Sequence, residues 1–156
     1  MQSYDIVFFH GKESGPHGRK YRALSQEFTV WSPDFQGMHI TERLATAERL
    51  TEGLTDLFVV GSSYGGLLAA LLYSKHPERF RTYVLLAPAL LLDVDAIERM
   101  PPDAVVIHGR RDEIVPFEAT REICDRFGVR FVEVDDTHPL HESMDVILRE
   151  VRQLHG

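Results

Sequence analysis

A chain of 156 residues is long enough to bury one substantial core, and its length argues for a single domain. Hydrophobic residues at 44% and charged residues at 26% describe an ordinary globular protein and exclude a disordered or fibrous one. The formal net charge of -7 excludes a general nucleic-acid binder, because neutralising phosphates needs clustered Lys and Arg, and the nearest approach to a cluster is the pair Arg110-Arg111.

The chain alternates short apolar runs with amphipathic segments. It starts with MQSYDIVFFHG, an acid ahead of an apolar run too short for a signal peptide or a membrane span, so a cytoplasmic protein with no membrane partner is expected. Tyr4–Phe9 is the first predicted strand, followed by a helical pattern over Gly18–Phe28 with Tyr21, Leu24 and Phe28 in phase. Thr29–Trp31 is the second strand, and Thr41–Gly53 the second helix, ending at a glycine. Leu57–Val60 leads through GSSYGG into Tyr64–Lys75, a helix apolar on most sides that stops before His76-Pro77. Thr82–Leu86 is the fourth strand. The irregular stretch Ala87–Asp103 after it holds a short predicted helix from Asp93 to Met100. Ala104–His108, a helix over Phe117–Phe127, Arg130–Val134 and a last helix over Leu140–Leu154 complete the pattern. Strands apolar almost throughout (IVFF, FVV, YVLL, AVVI), separated by helices, predict a three-layer, doubly wound, mainly parallel sheet of six strands. The only cysteine, Cys124, precludes an internal disulfide, suits a reducing compartment and falls mid-helix, where a small buried side chain is expected.

Ligands of open α/β sheets bind beyond the carboxyl ends of the strands. The polar residues there are His10-Gly11-Lys12, Ser62-Ser63, Asp112 and His138. Gly61-Ser62-Ser63-Tyr64-Gly65 fits Gly-x-Ser-x-Gly between a strand and a helix, a corner at which the central serine is exposed and the glycines prevent collisions. The alternative is a plain glycine turn. A serine nucleophile needs a base oriented by an acid, and this turn type uses the order Ser, Asp, His. Asp112 follows a strand and faces the site, although the same residue also suits a turn or a helix cap. Glu113 is the less suitable acid, because Ile114 and Val115 turn the chain away. His138 sits between the last strand and the last helix. His141, past Pro139, competes with it less well. Asp135, Asp136 and the two histidines match no common metal-site spacing, so neither metal nor cofactor is expected. The oxyanion of a tetrahedral intermediate needs two donors: the backbone N–H groups of Tyr64 and Lys12, with Gly11 permitting close approach. His10 is expected to hydrogen-bond within its loop, and His17, His39, His76, His108 and His155 to be structural.

The segments FFHGKESGPHG, GSSYGG, VIHGRRDEIVP and DDTHPLH, in that order, resemble those of the α/β-hydrolase superfamily over nearly the whole chain. The similarity is greatest to small bacterial serine hydrolases or esterases without a cap. The resemblance implies strand order 2-1-3-4-5-6, with Ser63 as nucleophile, Asp112 as acid, His138 as base, and the Tyr64 and Lys12 amides as oxyanion hole. Compared with larger members, the chain begins at the third strand of the full fold, and Ala87–Asp103 is too short for a lid. An open, shallow site is therefore expected, suited to a small-molecule ester, less so to a thioester, and not to long-chain lipids. Ala89-Leu90-Leu91-Leu92 either lines an acyl pocket or packs on the sheet. Activity should rise as His138 loses its proton. Acyl transfer, amide hydrolysis or lyase chemistry would use the same site, and a non-catalytic anion-binding or regulatory module is the alternative without chemistry.

Overall fold

The computed structural model describes residues 3–156. Six strands, β1 (Ile6–Phe9), β2 (Val30–Trp31), β3 (Leu57–Ser62), β4 (Phe80–Leu86), β5 (Val105–Gly109) and β6 (Arg130–Val134), form one parallel sheet. Their order is β2-β1-β3-β4-β5-β6, as the resemblance implies. Five helices accompany them: α1 (Arg19–Ser25), α2 (Ile40–Leu50), α3 (Tyr64–Lys75), α4 (Phe117–Phe127) and α5 (Met144–His155).

The period-two alternation of the strands sorts the core into two layers. Val7, Val59, Leu85 and Val106 point toward Ala47 of α2, Leu68 of α3 and Ile123 of α4. Ile6, Val60, Val84 and Ile107 point the other way, toward Leu24 of α1 and Ile147 and Val151 of α5. Because both faces are covered, β1 and β5 are buried at every residue, which explains their unbroken apolar runs. Cys124 lies fully buried in the first layer, and burial pushes its thiol pKa up to about 12. No helix among the described residues is long and apolar enough to cross a membrane.

Helix α3 sets the site. All of it except Tyr73 and Lys75 is buried, as a sequence apolar on every side requires. It lies so close to the strand ends that a Cβ on Gly65 would meet the Phe9 carbonyl oxygen at 2.0 Å, and one on Gly66 would meet Pro88 Cβ at 2.6 Å. A Cβ on Gly61 would in turn meet the Gly65 carbonyl oxygen at 2.6 Å. The glycines of GSSYGG are thus contact surfaces between a strand, a helix and a loop.

Some elements differ from expectation at their ends. The helix expected from Leu140 starts only at Met144, because the Asp136 carboxylate takes the Glu142 amide at 2.9 Å and the Ser143 hydroxyl at 2.7 Å, and Leu140 adopts a φ of 57°. In place of the helix from Asp93 to Met100 there is a 3-10 turn over Leu90–Ala96, kinked at Asp93. Beyond it the Glu98 amide donates to the Ser74 hydroxyl of α3 at 3.0 Å, a bond that draws this segment out of helical register. β2 shrinks to Val30–Trp31, and α1 stops at Ser25 in a tight final turn onto the Leu24 carbonyl.

Gly65→Ala is expected to lower unfolding free energy by at least about 1–3 kcal/mol, since backbone atoms must move to admit the methyl group. Gly18→Ala, where an added Cβ meets nothing within 4 Å, serves as the control and should change stability by less than about 1 kcal/mol. Urea unfolding of the two variants measures the difference.

Candidate active site

At the end of β3 the chain enters α3 through Ser63, whose backbone has φ 54° and ψ -110°. A non-glycine residue in such a conformation costs about 1–3 kcal/mol and persists only where its surroundings hold it. Here the Ser63 amide donates to the Leu86 carbonyl at 2.8 Å, and the Ser63 carbonyl accepts from the Ala89 amide at 3.0 Å. The corner projects the hydroxyl out of the sheet at the first turn of a buried helix.

The Ser63 hydroxyl lies 2.9 Å from His138 Nε2, and His138 Nδ1 lies 2.7 Å from Asp112 Oδ2. A carboxylate only accepts, so Nδ1 carries the proton and Nε2 accepts from the hydroxyl. The Asp112 side chain is wholly buried. Its Oδ1 accepts from the Ile114 and Val115 amides, each at 2.8 Å, which fixes the plane of the carboxylate. Glu113 and His141 are exposed and outside this chain of bonds.

Asp112 and His138 come from different loops, which are locked together. A Cβ on Gly109 would meet the Asp136 carbonyl oxygen at 2.3 Å, and the Arg111 amide donates to that oxygen at 3.0 Å. The buried Asp136 side chain then shapes the turn carrying His138, accepting from the Thr137 amide at 2.7 Å as well as from Glu142 and Ser143. Burial raises its pKa, but the Ser143 hydroxyl and the two amides outweigh it and hold the carboxyl below its ordinary value. Asp135, its neighbour in sequence, instead pairs with Arg111 at 2.8 Å on the surface.

Two further buried histidines support the site. His108 lies beneath Asp112, with Nε2 at 3.0 Å from the Val115 carbonyl and 3.2 Å from Asp112 Oδ2. The Val115 carbonyl only accepts, so Nε2 is the protonated nitrogen, and burial lowers the pKa of the ring. His10 bonds within its loop as expected: Nδ1 donates to the Gly11 carbonyl at 2.7 Å, and Nε2 accepts from the Phe35 amide at 2.8 Å. The residue that the sequence reading passed over is Arg43 of α2, completely buried beside the same loop. Its signal was present, since Arg43 falls in the stripe Ile40, Leu44, Ala47, where helical spacing calls for an apolar side chain.

Ser63, His138, Lys12 and Tyr64 face a cavity of about 600 Å³. Its apolar wall comes from Leu91, Leu92, Ile114 and Val115, with Leu92 and Ile114 exposed at 68% and 73%. Large apolar side chains this open at a cavity mouth provide a surface for an apolar group. Leu90, by contrast, packs into the core, so the Ala89–Leu92 segment divides between lining and packing. The Lys12 ammonium lies over the Tyr64 ring, 5.6 Å from its centre, and the Tyr64 hydroxyl accepts from the Ile40 amide at 2.6 Å. Such a site can move a proton from a hydroxyl to an imidazole backed by a buried carboxylate.

A family model described as the alpha/beta hydrolase fold matches residues 6–103, a span that includes Ser63 and stops short of Asp112 and His138. Comparison with curated proteins gives no match. Among solved structures, a protein from Xanthomonas campestris pv. campestris described as a hydrolase of the alpha/beta superfamily superimposes with a TM-score of 0.83 at 23% identity, over 96% of this chain and 95% of that one. Est1E from Butyrivibrio proteoclasticus gives 0.73 at 19% identity, over 95% and 85%. A monoacylglycerol lipase from Paleococcus ferrophilus gives 0.73 at 17%, over 96% and 93%.

Asp136→Asn, which leaves one acceptor oxygen for three donors, is expected to destabilise the fold by about 1–3 kcal/mol at pH 7. A carboxyl whose pKa is depressed on folding adds stability above its unfolded pKa and loses it as pH falls through the folded value. The gap between wild type and variant should therefore narrow at pH 3, below the free aspartate value of about 3.9. Urea unfolding at the two pH values reads this directly.

Proposed function

The chain belongs to the alpha/beta hydrolase fold family, and from that premise we propose that it is a serine hydrolase cleaving a small carboxylic ester through an acyl-enzyme. The observation that carries this reading is the continuous chain of bonds from the Ser63 hydroxyl through His138 to buried Asp112, opening on a cavity.

In this mechanism the Ser63 hydroxyl oxygen attacks the ester carbonyl carbon while His138 Nε2 takes its proton. Asp112 holds the ring in the tautomer that leaves Nε2 free, and stabilises the imidazolium. The carbonyl oxygen becomes an oxyanion beside the backbone N–H groups of Tyr64 and Lys12. Collapse of the tetrahedral intermediate breaks the bond to the alcohol, which leaves with the proton from His138. Water then attacks the acyl-serine and gives its proton to His138, the bond from the acyl carbon to Ser63 Oγ breaks to release the acid, and His138 returns the proton to Ser63. His108 Nε2 bonds the Val115 carbonyl and lies 3.2 Å from Asp112 Oδ2, so it packs against the carboxylate without adding a like charge next to His138. The apolar wall of Leu91, Leu92 and Ile114 favours a substrate with one short apolar arm, and that a monoacylglycerol lipase shares the fold is in keeping with ester chemistry.

The wild-type protein should hydrolyse p-nitrophenyl acetate and take up one fluorophosphonate on Ser63. Ser63→Ala should lose the label and about 10⁴-fold or more of kcat. An unlabelled, folded wild type would point to a binding module, and product partition between water and added alcohols separates hydrolysis from acyl transfer.

A further inference from the structure

Arg43 is a buried cation without an ion-pair partner, the Asp34 carboxylate acting on it only from farther off. It is completely inaccessible, and among the described residues no carboxylate lies within ion-pairing distance of it. Nη1 donates to the His10 carbonyl at 2.6 Å and Nη2 to the Gly11 carbonyl at 2.9 Å, while Nε has no partner. Burial pulls its pKa down. An arginine held in this way costs stability that an apolar residue at the same helical position would not. What it touches accounts for the expense.

The Gly11 carbonyl is the most heavily engaged acceptor in the loop after β1, receiving Arg43 Nη2, His10 Nδ1 at 2.7 Å and, more weakly, the Ser14 hydroxyl at 3.4 Å. Its oxygen belongs to the same planar, trans peptide as the Lys12 N–H. In such a unit the N–H points opposite to the C=O. Fixing the Gly11 oxygen inward toward α2 therefore fixes the direction of the Lys12 N–H. That peptide adjoins the serine: a Cβ on Gly11 would lie 3.8 Å from Ser63 Cβ. The guanidinium also polarises the peptide it binds, strengthening the N–H as a donor on the other side. Its Cζ sits 4.9 Å from the Tyr64 ring centre, and the Tyr64 hydroxyl takes the Ile40 amide one turn earlier on the same helix. One turn of α2 thus braces the two residues whose amides are assigned to the oxyanion.

We propose that Arg43 is a positioning residue of the oxyanion hole, acting through the Gly11–Lys12 peptide to hold the Lys12 N–H toward the developing negative charge. This rests on the serine-hydrolase reading above. Its signature is a loss confined to the transition state, because the group it orients is needed only once the carbonyl oxygen becomes charged.

The test uses the full chain with p-nitrophenyl acetate as substrate and an alkyl trifluoromethyl ketone as mimic of the tetrahedral adduct. Arg43→Met, which keeps the side-chain length without charge or donors, should lower kcat about 10- to 100-fold, less than the roughly 100- to 1000-fold for outright loss of an oxyanion donor because the Lys12 N–H itself remains, with KM changed less than about twofold. Trifluoromethyl ketone affinity should fall by the same factor. Arg43→Lys retains the charge without the two-pronged bond and should lie between Arg43→Met and wild type on both measures. Arg43→Lys carries the test alone if Arg43→Met does not fold. Wild-type kcat in either folded variant, a loss expressed only in KM, or a fall in kcat without a matching fall in ketone affinity would overturn the assignment. A wild type that neither turns over the ester nor takes up fluorophosphonate refutes the parent reading instead, so the two failures are distinguishable.

Discussion

The closeness with which α3 lies on the sheet governs everything at the strand ends. With the Phe9 carbonyl within 2.0 Å of where a Gly65 Cβ would stand, the helix cannot start with an ordinary turn out of β3. The reversal has to be made in one residue, and Ser63 takes the positive φ that makes it. The same contact brings the loop after β1 against the serine, so that Gly11 adjoins Ser63. A second close approach, Gly109 on the Asp136 carbonyl, draws the ends of β5 and β6 together and lets Asp112 meet His138. Two backbone contacts, each open only to glycine, assemble side chains from three distant parts of the chain. Strain at Ser63 is the local cost, and the dense packing of α3 between β1, β3 and β4 holds it in place.

Polar groups buried in so dry a region have to be matched one by one. Asp112 accepts two amides on one oxygen and the His138 imidazole on the other, with the His108 ring packed 3.2 Å from it. Asp136 accepts two amides and a hydroxyl, which keeps it ionised despite its burial. The two aspartates nevertheless do different things. Asp112 orients a ring, whereas Asp136 bends the segment that carries the ring, and a neutral replacement at either would leave donors without acceptors.

Period and turn chemistry made much of this readable in advance. Strand alternation, apolar runs and the Gly-x-Ser-x-Gly corner are local patterns, so the sheet, its six strands and the placement of Ser63 between β3 and α3 could be read directly. The placement of Asp112 and His138 beyond β5 and β6 followed from the same reasoning, since strand ends point one way in a parallel sheet. What escaped depends on contacts far apart in sequence. The start of α5 is displaced by the Asp136 carboxylate, and the segment after β4 is drawn straight by Ser74 of α3. Neither partner can be identified from neighbouring residues alone. Arg43 lies between these cases: its place in an apolar stripe is visible in the sequence, but its targets, two backbone carbonyls 32 and 33 residues away, carry no side-chain signature.

The two buried ions of the site then make sense as a pair that is kept apart. The anion Asp112 lies behind His138, where the proposed mechanism puts positive charge as the imidazole takes the serine proton. The cation Arg43 lies behind the Gly11–Lys12 peptide, where the same proposed mechanism puts negative charge on the substrate oxygen. Had Arg43 been given a carboxylate of its own, its field at that peptide would be largely cancelled and the fold would gain little in return. Had His108 or His10 been charged, each would oppose or blur one of these two poles. Burial lowers the pKa of both rings and keeps them neutral donors and acceptors. A core arginine without an ion-pair partner is poor design for stability alone, yet it is the arrangement expected where, as proposed, the counter-charge is supplied by the reaction itself.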